Sequence, residues 1–282
     1  MVGGGRWLQG QYKGAGRRME EQRQDAYHIY PGGGENKGKY RTLVDAVNRA
    51  GGEWFLIADS DDEFVPETID IFLKAYDAIP DEVKPRVSGV TGLVIDSLTR
   101  EVVGGRFPIE ENKGYMLTSV NELIYKMGVT GEKWGILKTA VMQEFAHQIE
   151  VPQNVKYIGE QALWSPIGEK YMTIFINEPL RIYYQGTSDT LSSRNIAGRH
   201  PLGAWITERK VLPCIARYFW NRPKMVLFSC VKLNYASLLC GKNYGETVKG
   251  FGFWLKCLML LTRSVGFVAQ KRYPATNSVA KK

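Results

Sequence analysis

A short apolar run that ends in acidic residues constrains the fold of this chain more than any other stretch. Residues 54–58 (WFLIA) follow a pair of glycines and lead directly into Asp59, Ser60, Asp61 and Asp62. An apolar run of this length, bounded by glycines and polar residues, predicts a parallel strand that is covered on both faces. Ligands bind at the carboxyl ends of such strands, where the three aspartates would lie.

The aspartates have two interpretations at this point. Carboxylates that are held close together repel one another, so a divalent cation that binds oxygen would stabilise the group. Alternatively, Asp61 or Asp62 caps a helix that begins near Pro66. The residues alone favour neither interpretation.

Composition limits the class of protein. A length of 282 residues allows one large domain, or one domain with a helical appendage. The net charge of +8 favours anionic partners, but no nucleic-acid-binding module is recognisable, so nucleic acid is not predicted as a partner. No signal peptide is visible. The four cysteines lack CxxC spacing, which predicts buried, reduced thiols in a cytosolic protein: Cys214, Cys230, Cys240 and Cys257.

Hydrophobic periodicity divides the chain into three parts. Residues 1–34 are rich in Gly, Arg and Gln and show no sustained period, residues 35–200 are strongly patterned, and residues 201–282 form a helical tail rich in Trp, Phe and Leu. The middle part predicts alternating helices and strands. Helices are expected at 40–50, 67–79, 118–126 (capped by Thr118) and 161–171, strands at 87–98, 102–107, 173–176 and 180–184, and a strand followed by a helix at 136–145.

Several of these segments occur in an order that is typical of one enzyme family. They are residues 35–39 (ENKGK), Asn48, the strand ending in DSDD, residues 157–164 (YIGEQALW) and residues 175–184 (FINEPLRIYY). Together they resemble the second half of a family 2 glycosyltransferase domain, over about residues 35–194. The resemblance implies a GT-A-like α/β fold, in which a mixed sheet is flanked by helices and the first βαβ part is missing. It also implies transfer of a sugar from a nucleotide-diphosphate donor to an acceptor hydroxyl.

The resemblance implies roles for three acidic residues. Asp59 and Asp61 match the family's DxD positions and would bind Mn²⁺ or Mg²⁺, which offsets charge on the departing diphosphate. Glu160 matches the residue that takes the proton from the acceptor. Gln161 stands where the family commonly has a second acid, which leaves Glu160 as the only carboxylate of that pair. The structural alternative is that Glu160 caps the helix that follows it.

Two arginines and a tyrosine are candidates for binding the donor. Arg181, Arg194 and Tyr184 are predicted to contact the diphosphate, because guanidinium groups pair well with phosphate oxygens. The alternatives are that Tyr184 is an ordinary strand residue and that Arg194 is a solvated loop charge. Lys39 is expected to be a surface lysine rather than a donor contact.

The irregular first segment prompts a separate hypothesis. Codons permitted for residues 4–31, read one base later, can encode the family's second strand, its acidic donor-binding loop and the following helix. Trp7 then forces a glycine, and Met19 followed by Glu20 forces a tryptophan. We therefore expect residues 1–33 to be an out-of-frame segment and this chain to be truncated and poorly active.

The expected setting follows from the same resemblance. A metal-dependent glycosyltransferase of surface-polysaccharide synthesis would use a saccharide or lipid-linked acceptor at the cytoplasmic face of the cell membrane. The basic, aromatic tail suits peripheral membrane contact, or it packs as helices on the catalytic domain. The alternatives in other classes are an inactive remnant or non-catalytic binding protein of the same fold, and a nucleotidyltransferase, whose glycine-rich phosphate loop the sequence lacks.

Overall fold

A six-stranded mixed sheet carries the first two thirds of the part of the chain that the computed structural model describes, residues 38–59, 62–184 and 196–274. Its strands are β1 (Trp54–Leu56), β2 (Glu63–Phe64), β3 (Val87–Asp96), β4 (Met116–Thr118), β5 (Lys133–Lys138) and β6 (Met172–Tyr183). The order is β1-β5-β3-β6-β2, with β4 also paired to β6. Strands β3 and β6 are parallel, and the other pairings are antiparallel.

Helices cover the sheet and then continue as a separate layer. Those within the sheet region are α1 (Lys39–Arg49), α2 (Thr68–Asp77), α3 (Val120–Tyr125), α4 (Thr139–Ala146) and α5 (Gln161–Lys170). Those that follow are α6 (Ile196–Arg199), α7 (Pro201–Ile215), α8 (Pro223–Leu239), α9 (Tyr244–Val248), α10 (Phe253–Leu261) and α11 (Arg263–Arg272). The prediction of a mixed sheet flanked by helices is confirmed, whereas the hypothesis on residues 1–33 lies outside the described residues.

The acidic strand differs from its prediction in direction. Strand β1 is three residues long and antiparallel to β5, and in the described part of the chain β5 is its one strand partner. Trp54 and Leu56 pack against the apolar cluster beneath α2, while Phe55 packs against the cluster that contains α1, α4 and α5. The prediction that both faces of the strand are covered is therefore confirmed. The direction of the neighbouring strand could not be predicted, because a strand that is covered on both faces has the same apolar pattern whether its neighbour is parallel or antiparallel.

Three local predictions were also wrong in detail. Residues 102–107 make one isolated bridge, Val102 to Ile95, instead of a second strand. Ser119, not Thr118, caps α3 by accepting a hydrogen bond from the backbone of Glu122. The strands predicted at 173–176 and 180–184 are one strand, β6, whose register against β3 shifts around Asn177. That shift is stabilised because the Asn177 amide exchanges two hydrogen bonds with the backbone of Phe107.

The helices after residue 200 have their own apolar core. Leu212, Leu233 and Met259 are fully buried there, on α7, α8 and α10. Helix α7 also contacts α5, so this layer adjoins the helix that begins next to Glu160. No helix within the described ranges is both long enough and apolar enough to cross a bilayer.

Candidate functional site

The acidic residue at the end of β1 and the acidic residue before α5 share one cation. The ammonium of Lys39 lies 3.4 Å from Oδ1 of Asp59 and 3.0 Å from Oε1 of Glu160. All three side chains are partly exposed to solvent. The structure therefore brings together two of the residues that the sequence predicted as a site, and the link is a lysine that was expected to be an ordinary surface residue.

Backbone geometry fixes the start of α1, where Lys39 lies: Gly38 is the N-cap residue of this helix. Gly38 has a φ of +88°, in the left-handed region, and a Cβ on it would lie 1.9 Å from the carbonyl oxygen of Lys156. Only glycine fits there without displacing backbone. Burial alone would lower the pKa of Lys39, but the carboxylates of Glu160 and Asp59 outweigh it and raise that pKa above its ordinary value. The lysine is thus held as a cation.

A second cation, the guanidinium of Arg181 on β6, contacts the other nearby carboxylates. Its Nε donates to Oδ2 of Asp62 at 2.8 Å, and its Nη1 lies 3.4 Å from Oε1 of Glu132. Its Nη2 contacts Asp62 as well and lies 3.7 Å from Oδ2 of Asp59. The side chains of Arg181 and Asp62 are 7% and 1% exposed, so this pair is shielded from water. Asp59 therefore joins the two cations and their carboxylates into one group, the acidic cluster, which consists of Lys39, Asp59, Asp62, Glu132, Glu160 and Arg181.

Glu132 belongs to this cluster, and the sequence gave no signal for it. It lies in the turn that enters β5, with no motif around it. Burial raises the pKa of Glu132 above its ordinary value, and the nearby charges of Glu160 and Asp62 add to that effect. The guanidinium of Arg181 acts in the opposite direction and does not cancel it. Only the pairing of β5 within the sheet brings this residue to the site.

The two capping alternatives can now be compared with the geometry. Glu160 does occupy the N-cap position of α5, but its side chain makes no capping hydrogen bond within the described part of the chain and contacts Lys39 instead. Asp62 lies on Arg181, and the N-cap residue of α2 is Glu67. Neither side chain therefore acts as a helix cap.

The helical layer positions Glu160. The backbone N–H of Gly159 donates to Oγ1 of Thr207 on α7 at 2.9 Å. Gly203, one turn earlier on α7, lies so close to Tyr157 that a Cβ would be 1.8 Å from its carbonyl oxygen. The segment that carries Glu160 is therefore clamped against α7, which gives the helices after residue 200 a direct connection to the site.

Asp59 fits a divalent cation in its chemistry. Its carboxylate is 36% exposed and offers the oxygen donors that Mn²⁺ and Mg²⁺ prefer. Among the described residues no three His, Cys, Asp or Glu side chains assemble into a metal-binding group. The predicted ligand Asp61 and the predicted donor contact Arg194 lie outside the described residues. The remaining predicted contact, Tyr184, donates its hydroxyl hydrogen to Glu63 at 2.7 Å.

Fold and site together define a mixed α/β protein with a solvent-accessible group of carboxylates at the end of strand β1. No protein-family description matches the sequence, and no curated protein matches it. Among solved structures, the fold is similar to that of S. aureus TarS, residues 1–349, at 13% sequence identity and a TM-score of 0.39. That similarity covers 84% of this chain and 72% of the other.

Proposed function

We propose that this chain is a glycosyltransferase that moves a sugar from a nucleotide-diphosphate donor to the hydroxyl of a saccharide or lipid-linked acceptor. The supporting observation is that Asp59 and Glu160, from two segments that resemble family 2 glycosyltransferases, contact the same ammonium group. Sugar transfer needs this proximity, because the acceptor attacks the carbon atom that the diphosphate leaves. The proposed setting is surface-polysaccharide synthesis at the cytoplasmic face of the membrane.

Glu160 is the proposed general base. Its carboxylate takes the proton of the acceptor hydroxyl as that oxygen bonds to the anomeric carbon of the sugar. The bond from this carbon to the diphosphate oxygen breaks, and the diphosphate leaves with the electron pair. The family resemblance implies inversion at the carbon. A positioned base of this kind typically contributes about 10²–10⁴-fold to the rate.

Asp59 and Asp61 are the proposed ligands of Mn²⁺ or Mg²⁺, which would offset the negative charge that develops on the leaving diphosphate. Arg181 has a positioning role in this proposal, because its guanidinium is shared between Asp59, Asp62 and Glu132. Arg194 remains the predicted contact of the diphosphate itself.

Glu160→Gln tests the proposal. With Mn²⁺ present, kcat for sugar transfer should fall by about 10²–10⁴-fold, while donor affinity measured by calorimetry should stay within about twofold. Glu144→Gln is the matched control, because Glu144 also forms a helix-surface ion pair, with Lys170, away from the cluster. Wild-type turnover in Glu160→Gln, or an equal loss in the control, would remove Glu160 as the base.

A second candidate is a non-catalytic binding protein or inactive remnant of the same fold. One observation favours it: each described carboxylate of the cluster already contacts a cation of the protein, Asp59 and Glu160 contacting Lys39, and Asp62 and Glu132 contacting Arg181. Donor hydrolysis and nucleotide-diphosphate binding, both assayed with Mn²⁺, separate the candidates. Turnover indicates the enzyme, and binding without turnover indicates a binding protein. The absence of both turnover and binding indicates the remnant.

A further inference from the structure

The positive charge of the chain is concentrated in its last quarter. Fourteen of the 37 Lys and Arg residues lie between Arg209 and Lys282, but only one of the 29 Asp and Glu residues, Glu246, lies there. The remainder of the sequence has more acids than bases, so this quarter accounts for the whole positive excess. Such an asymmetry points to an anionic partner for the helices of this region.

Helix α10 exposes apolar side chains on the face that points away from the core. Leu255, Leu258 and Met259 are buried in the core of the helical layer. Phe253 and Leu261 on the opposite side are 84% and 74% exposed, and Trp254 and Leu260 are more than half exposed. Lys256 is the one charged residue of the helix. A helix that is apolar all round is normally buried all round, so one face of α10 lacks the environment that its sequence fits.

Helix α11 continues this exposed side and adds positive charge. It follows α10 directly through Thr262 and packs on α8 at Gly266, where a Cβ would lie 2.7 Å from Cβ of Asn234. Its exposed side carries Val265, Phe267 and Val268 together with three basic residues and no acidic one. The apolar–basic surface consists of Phe253, Trp254, Leu260, Leu261, Val265, Phe267 and Val268, with Lys256, Arg263, Lys271 and Arg272 among them.

We propose that the apolar–basic surface docks on an anionic lipid bilayer and lies in the plane of its interface. Aromatic side chains favour the level of the lipid headgroups, and Lys and Arg residues next to them are attracted to anionic lipids. An apolar helix face flanked by cations has the composition of interfacial helices. The proposal depends on α10 and α11 and not on the enzymatic activity, although docking would bring the chain to a lipid-linked acceptor.

Flotation of the full chain with lipid vesicles tests the docking. The chain should float with phosphatidylcholine vesicles that contain phosphatidylglycerol, float much less with phosphatidylcholine alone, and be released by high salt. Arg263→Glu combined with Lys271→Glu should lower the apparent partition coefficient by about 30-fold or more, which corresponds to losing two cations near an anionic surface. Phe253→Ser combined with Leu261→Ser should also lower it at least about tenfold.

Two substitutions elsewhere are the matched controls. Leu98→Ser removes a side chain that is 80% exposed in the turn after β3, and Lys74→Glu reverses an exposed charge on α2. Both should float like the parent chain. Circular dichroism and thermal melting should show every variant folded, and the comparison of the two vesicle types with the parent chain needs no variant.

Several results would overturn the proposal. If the parent chain fails to float with the mixed vesicles, the proposal is overturned. The surface would then be covered by a second copy or by another segment of this chain. A second copy would then appear as a concentration-dependent dimer that Phe253→Ser with Leu261→Ser abolishes. Equal flotation of all variants, or equal losses in the controls, would also contradict it. Since flotation does not measure turnover, its failure leaves the proposed glycosyltransferase activity untouched, and the loss of that activity leaves the docking untouched.

Discussion

The acidic cluster and the apolar–basic surface differ in whether their charged side chains are paired within the protein. In the cluster, Arg181 and Lys39 each contact two or more carboxylates, so opposite charges meet within the protein. On the surface, cations of α10 and α11 stand beside exposed apolar side chains, and no acidic residue occurs in either helix. The carboxylates of the cluster have cationic partners within the protein. The cations of the surface have no acidic partner among the described residues, so an anionic partner from outside the chain would complement them.

A stretch rich in one kind of charge can have either of two roles in a folded protein. Many acids in one stretch, as at residues 59–62, need cations from distant segments, and tertiary structure supplies them here. Of the many bases after residue 208, Arg217, Lys232 and Lys242 pair with acids. The four cations of α10 and α11 form no ion pair with a described residue, because few acids lie in this region. Internal pairing indicates a site that must keep its geometry, while unpaired like charge indicates a surface that binds something else.

The largest expected effect concerns the shielded half of the cluster. Arg181→Met should lower the free energy of unfolding by about 3–5 kcal/mol, because it removes the guanidinium that neutralises the buried carboxylate of Asp62. Urea unfolding followed by circular dichroism measures this loss. Lys39→Met is the control within the same cluster, and its half-exposed ammonium should contribute less than about 1 kcal/mol. Equal losses in both variants would show that the two halves of the cluster are not distinct.

The next effect compares the two faces of α10. Leu258→Ala should lower the free energy of unfolding by about 2–5 kcal/mol, because the side chain is 4% exposed and its removal leaves a cavity in the helical core. Leu261→Ala, one turn later and 74% exposed, should change it by less than about 0.5 kcal/mol in the absence of lipid. The same urea titration serves both variants. A large loss in Leu261→Ala would mean that this face is already packed against protein, which would break the comparison.

The last effect is a pH dependence that comes from the thiols in that core. Burial raises the pKa of Cys214 and of Cys230 to about 12. A thiol whose pKa is higher in the folded chain than in the unfolded chain stabilises the fold fully below its unfolded pKa. That contribution is lost as pH rises between about 9 and 12. Each thiol should lower the free energy of unfolding by up to about 1.4 kcal/mol per pH unit in this window.

Urea unfolding at several pH values above 8 measures the thiol contribution. The double variant Cys214→Ala with Cys230→Ala should lose stability less steeply with pH than the parent chain, whatever its stability at neutral pH. Parallel slopes in the two proteins would contradict a role of buried thiols.

Much of the fold could be predicted from local patterns. The helices at 39–49, 139–146 and 161–170 follow from apolar residues at helical spacing, and the helical character after residue 200 follows from the same signal. Strand direction could not be predicted, as β1 demonstrates, because both faces of the strand are covered whichever way its neighbour runs. The short bridge at Val102 also depends on a partner outside its own segment.

Less of the site could be predicted. The family resemblance pointed to Asp59 and Glu160, and they do contact a common cation, but the lysine between them had no motif. Arg181 was expected to face a diphosphate, and the structure surrounds it with three carboxylates. Glu132 was not predicted at all, because nothing in its own segment distinguishes it from any other acid in a turn.

The sequence alone determined the class of fold, the acidic strand end, and the concentration of basic and aromatic residues after residue 208. These are properties of composition and of short-range periodicity, which are present in the chain before it folds. Tertiary structure alone decided that Lys39 joins Asp59 to Glu160, and that one apolar face of α10 points outward. Both depend on which distant segments come into contact, and that is fixed by packing of the whole chain rather than by any local pattern.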